Sequence, residues 1–255
     1  METSFIGLIV TLLLGIFIII GALIALLTKK RDKVVEFSIG LAFGVMIMLM
    51  ITHLLPEIKE HLGLAKIHYF IIATILGYVL LKVLDNFIPD HDDENEKLSK
   101  KELNDNLVHI GIITSLALIL HNVVEGMAVY STFLTSNHLG IHLAIGIGFH
   151  NIPLGMVIAN AFHQSNQNVT KTIISIVLVS LSTFLGGLLM YIFNFQTINI
   201  TLLGILLSLT LGMLIFITFN ELLPRIKNLK DKKTANIAIL IGILIQIISL
   251  FVHTH

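Results

Sequence analysis

An all-helical integral membrane protein of eight spans is the fold class this sequence predicts, and three observations predict it. The 255 residues are 55% hydrophobic and only 13% charged, with a mean hydropathy of +0.93, whereas soluble domains carry about 25% charged residues. Apolar runs cover roughly residues 5–28, 36–58, 67–88, 107–131, 139–162, 170–193, 199–223 and 234–252, each near the ~20 residues that cross a ~30 Å hydrocarbon core. Basic residues also alternate loop by loop: fourteen flank the first, third, fifth and seventh connections, and only Lys59 and Lys66 fall on the other side. Because Lys and Arg favour the cytoplasmic side of short loops, both termini are expected outside.

Taken in order, the first run lacks a basic leader and a small-residue cleavage site, so it reads as a retained helix. The second, GVMIMLMITHLLPEIK from Gly44, has a counterpart in the seventh, GMLIFITFNELLPRIK from Gly212, with seven of sixteen positions identical at an offset of 168. The two copies are five spans apart, an odd number, so they traverse the membrane in opposite directions. That is the mark of an inverted repeat, common in transporters. The expected layout is 3+2+3, with the first to third runs repeated upside down as the sixth to eighth, and the fourth and fifth between them. The whole chain, 1–255, reads as one transmembrane domain. Its only charge-rich segment is a loop from 89 to 106, expected to be cytoplasmic and solvated.

The fourth and fifth runs carry polar residues at mid-depth. HNVVEGMAVY from His121 and HNIPLGMVIA from His150 each place a His-Asn pair inside an apolar stretch. His121 and Glu125 are four residues apart, hence on one helix face. An ionisable side chain at that depth costs several kcal/mol unless it is paired, hydrated or bound to an ion, which makes a functional site the default reading. The alternative is that His121 and Glu125 pair only with each other, as packing glue. Pro153 cannot donate to the carbonyl of Phe149, so a kink is expected there. The chain has no cysteine, so a metal site must draw on His, Met, Asn, Asp or Glu, and imidazoles with a carboxylate suit zinc and similar divalent ions. A formal net charge of +0 argues against a nucleic-acid partner. An intramembrane zinc hydrolase would need an activated water beside the metal, usually on an HExxH helix; that motif is absent from the sequence.

HNVVEG and HNIPLG resemble the paired motifs of the ZIP (Zrt-, Irt-like protein) metal transporters, in many of which they read HNxPEG. The resemblance extends to HLLPE at His53–Glu57 and to the eight-span inverted repeat. It implies a transporter, not an enzyme, without a resident cofactor. It implies further that divalent metal, typically zinc and in some members iron, manganese or cadmium, passes from outside into the cytoplasm. His121, Asn122, Glu125, His150 and Asn151 match positions that hold metal in the family, with Met46 a further ligand from a stretch that also holds Met48 and Met50. His53 and Glu57 read as an entrance, Glu221 and His163 as exit ligands; helix capping and interfacial placement are the alternatives.

The departures are Val124 where proline is usual, and Leu154 and Thr183 where carboxylates help the family hold a second metal. One tightly held metal is therefore expected. A transport-inactive sensor or regulatory protein of the same fold is the rival reading. Expected partners are the metal ion, membrane lipid and, in a homodimer, a second copy. Richness in isoleucine, lysine and asparagine points to a bacterial plasma membrane.

Overall fold

The computed structural model describes residues 2–28, 31–87, 100–164, 169–193, 199–229 and 231–253. Among them the chain forms eight helical rods. Helix α1 is Glu2–Leu27, and α2 runs as α-helix over Arg31–Leu49, as π-helix over Met50–Leu54 and again as α-helix over Leu55–Leu62. Helix α3 is Ile67–Phe87, α4 Lys100–Thr135, α5 Asn137–Gln164 and α6 Val169–Ile192. Helix α7 comprises Ile200–Phe216, a π-helical turn Ile217–Leu222 and Leu223–Asn228, and α8 is Lys232–His253. Six rods, α1, α2, α3, α5, α6 and α7, are long and apolar enough among the described residues to cross a membrane. The protein is an all-α, multi-pass membrane protein. For α4 and α8 the reading as spans rests on the apolar sequence.

Several boundaries differ from those the apolar runs suggest. Residues 100–106, expected in the charged loop, are instead the first turns of α4. Backbone hydrogen bonds propagate a helix past the point where its side chains stop being apolar. The rest of that loop, 89–99, lies outside the described residues. Likewise α2 and α7 outrun their apolar stretches, reaching Leu62 and Asn228.

The two π-helical turns are the clearest structural trace of the repeat. Leu55 donates its N–H to Met50 O, and Leu223 donates to Thr218 O, each a bond to the fifth residue back. The residues that follow, Pro56 and Pro224, have no N–H to give to the fourth carbonyl back. A widened turn ahead of each proline is one way to relieve that conflict. The hydrogen bond that Pro56 cannot make thus takes a defined structural form. Helix α5, by contrast, continues as α-helix through Pro153.

Packing repeats as well. Helix α1 packs chiefly on α5 as α6 does on α4, and α2 on α8 as α7 does on α3. The correspondence holds residue by residue where glycines let backbones touch. Gly21 meets the carbonyl of Ile152 on α5, and Gly186 that of Val123 on α4; Gly155 meets that of Ile18, and Gly126 that of Thr183. These pairs superpose when α1 is mapped to α6 by 165 residues and α4 to α5 by 29. In the other arm, Gly212 against Thr74 matches Gly44 against Ile239, and Gly77 against Leu209 matches Gly242 against Leu41. Helix α5 is the hub, with 73% of its apolar window buried against 17% for α3. Residues such as Ile71, Ile75 and Leu76 are left facing outward, as lipid contact requires.

Candidate metal site

At the centre, α4 presents His121, Asn122 and Glu125, and α5 presents Asn151; the four are between 0% and 3% exposed. Nε2 of His121 lies 2.9 Å from Oε1 of Glu125, the contact that their spacing of four residues predicts. Asn122 donates through Nδ2 to Val179 O on α6 at 3.3 Å, which fixes its amide, and its Oδ1 is without a partner among the described residues. Asn151 is fully buried, and neither its Oδ1 nor its Nδ2 has a partner among the described residues. A buried polar atom left unpaired costs about 1–3 kcal/mol, a cost that a bound ion would offset.

By the offset of 29, His121 corresponds to His150, Asn122 to Asn151 and Glu125 to Leu154. The backbone of His150 belongs to α5, while its side chain lies outside the described residues. Among the described residues no three His, Asp or Glu side chains gather in metal-binding geometry. Leu154 is buried at 2% exposure in the main apolar core. Thr183 is also fully buried, with its hydroxyl unpartnered among the described residues and its carbonyl against Gly126, one residue from Glu125. Both positions where a carboxylate was missed in the sequence are therefore interior.

Met46 is fully buried on α2, and its Sδ accepts a weak hydrogen bond from Thr218 Oγ1 on α7 at 3.7 Å. Sequence reasoning missed Thr218. The repeat offset that pairs it with Met50 could have flagged it as facing the same seam. Towards the ends, Nε2 of His53 lies 3.4 Å from Oε1 of Glu57, with the side chains 16% and 27% exposed. His53 sits in the π-helical turn of α2 and Glu57 just beyond it. Glu221 occupies the matching turn of α7, beside Asn220, which accepts a hydrogen bond from Tyr78 at 3.3 Å. The side chain of His163 lies outside the described residues. A further buried pair, missed in the sequence, is Asn160 donating to Ser38 Oγ at 2.7 Å, which ties α5 to α2.

A helical bundle with an internal repeat and polar residues on its central helices is an architecture that many membrane transporters share. The family profile described as ZIP Zinc transporter matches residues 86–249. The chain is 30% identical to "Zinc transporter ZupT" of Oceanobacillus iheyensis, covering 98% of each. It is 28% identical to the protein of that name in Clostridium perfringens, over 98% of this chain and 96% of the relative. The Lysinibacillus sphaericus protein is 30% identical over 94% of each. The chain belongs to the ZIP zinc transporter family, and, like these relatives, it is not an enzyme.

Proposed function

We propose that the protein carries a divalent transition metal, zinc foremost, from outside into the cytoplasm of a bacterial cell by alternating access. Family membership supports the substrate class. The observation that carries the site is Asn151, fully buried with its whole amide unpartnered among the described residues, on the helix that packs against α4, which bears the His121–Glu125 pair. In this reading a metal takes His121, Glu125 and His150, with Asn122, Asn151, Met46 or water completing a shell of about four if the ion is zinc. Metal binding requires the imidazoles neutral and the carboxylate ionised. Glu125 then offsets one of the two charges of the ion. The pair His53 and Glu57 serves as entrance, Glu221 and His163 as exit. Uptake of zinc into proteoliposomes containing the purified protein tests the whole reading. Absence of flux for zinc, iron, manganese and cadmium alike would leave the sensor or regulatory role favoured by Leu154 and Thr183.

Leu154 sets the expected stoichiometry. It stands at the repeat position of Glu125, supplies no lone pair and keeps its surroundings apolar. Two dications a few Å apart repel strongly in a low-dielectric interior, so one tightly held metal per chain is expected. Leu154→Glu is expected to add a second without abolishing the first. Metal analysis of wild type and variant checks this, and two tightly held metals in the wild type would overturn it.

Orientation is open to a separate check. A cysteine at Asn137, exposed at the start of α5, should react with an impermeant thiol reagent in intact cells. One at Asn95 should be protected until the membrane is opened. The reverse pattern would invert the assigned topology.

A further inference from the structure

Where α2 ends and α3 begins, the structure has a groove of about 280 Å³ lined by Leu55, Ile58 and Leu62 on one side and Ile67 and Phe70 on the other, with Lys59 at its rim. Its floor is the turn at Gly63, whose positive φ of 60° ends α2 with an N–H bond to Lys59 O at 2.9 Å; glycine adopts that conformation without a Cβ penalty. The turn is pinned to the start of α7 by Lys66, which donates to Thr201 Oγ1 at 2.5 Å. The groove is therefore a fixed feature between anchored elements.

Three observations say what fits it. Apart from Lys59, the lining side chains are apolar. Lys59 is exposed, and its ammonium group is available to an anion at the mouth. Tyr69 is 42% exposed close by at the start of α3, and tyrosine and lysine are the side chains that settle at headgroup level. The repeat provides an internal comparison. The positions matching Leu62 and Ile67 in the sequence are Lys230 and Lys232, whereas Leu55 and Ile58 keep apolar counterparts in Leu223 and Ile226, so at these positions two lysines interrupt the apolar sequence in the second copy and none does in the first. Glu60 is exposed beside Lys59 and Glu57 and His61 are partly buried; these acidic neighbours work against an anion, and the site relies on the acyl chain as well as on the charge.

We propose that this groove is a binding site for an anionic phospholipid of the leaflet it faces, with one acyl chain lying between α2 and α3 and the phosphate paired with Lys59. The occupied groove would brace the segment of α2 that carries Glu57. The inference is independent of the transport reading.

The chain has no tryptophan, so Leu64→Trp, at a residue that lines the groove and is 81% exposed, introduces a single tryptophan that can be excited apart from the four tyrosines. The protein is reconstituted in bilayers containing brominated phosphatidylglycerol or brominated phosphatidylcholine. Half-maximal quenching is expected at a several-fold lower mole fraction of the anionic lipid, and Lys59→Gln in the same background should remove that advantage. Equal quenching by the two lipids would mean unselective bulk lipid and overturn the proposal. So would an advantage that survives Lys59→Gln, or protection from both lipids, which would point to a second protein chain covering the groove. Thermal unfolding of each variant verifies that the fold is intact, and Leu55→Trp on the opposite wall supplies a second reporter if the first is not.

Discussion

Zinc uptake into proteoliposomes is expected to fall at least about tenfold, ~1.4 kcal/mol, in each of His121→Ala and Glu125→Ala, while the protein remains folded. The two side chains are 1% and 4% exposed and sit 2.9 Å apart on consecutive turns of α4. Glu125→Ala would deprive a dication bound at the proposed site of the carboxylate of the central pair, and desolvated charge without compensation is among the largest penalties available to a protein. His121→Ala removes a nitrogen donor suited to zinc and leaves Glu125 without its neighbour. If the pair were packing glue alone, both variants would lose stability together with uptake. Glu125→Gln separates the two cases, because it preserves shape and polarity while removing the charge. Wild-type uptake in all three variants would remove the central site from the mechanism.

The second large effect is structural. Gly126→Leu and Gly155→Leu should each abolish recovery of folded protein or lower its melting temperature steeply, and to similar extents. A Cβ at Gly126 would intrude on the carbonyl of Thr183, and one at Gly155 on that of Ile18. Since these neighbours are backbone, no side-chain rotation relieves the clash and whole helices must separate. Overpacking in a tight core already costs about 1–3 kcal/mol where side chains can adjust, and here they cannot. Close approach through small residues is also the main source of helix affinity inside a bilayer. Unchanged melting of either variant, followed by thermal scanning in detergent, would contradict the close packing of α4 on α6 and α5 on α1.

The helical fold and the internal repeat were legible because both are written in local terms. Apolar length marks a helix that can span, and GVMIMLMITHLLPEIK against GMLIFITFNELLPRIK reveals the duplication. The glycine contacts were not legible, because what they touch lies on partners far away in the chain: Gly44 reaches Ile239 and Gly77 reaches Leu209. The π-helical turns were half legible. Proline announces a broken hydrogen bond, but the choice between a kink and a widened turn depends on surrounding packing, and α5 passes Pro153 with neither a break nor a π turn. At the site, the spacing of His121 and Glu125 foretold their contact. The bond from Asn122 to Val179 and that from Thr218 to Met46 depend on helix rotation, which apolar sequences with no polar face leave unspecified.

The pairing of helices has a bearing on how the chain comes off the ribosome. Helices α1, α2 and α3 make sparse contacts with one another; their main partners are α5, α8 and α7. As synthesis proceeds, the first three helices therefore enter the bilayer with lipid as their only extensive neighbour, and α1 acquires its partner only when α5 emerges. Helix α2 must wait for Lys232–His253, the final helix. Until then the backbone surfaces at Gly40 and Gly44, shaped for α8, face lipid tails. Assembly is thus postponed to the end of translation, a consequence of a repeat in which each half completes the other and neither completes itself.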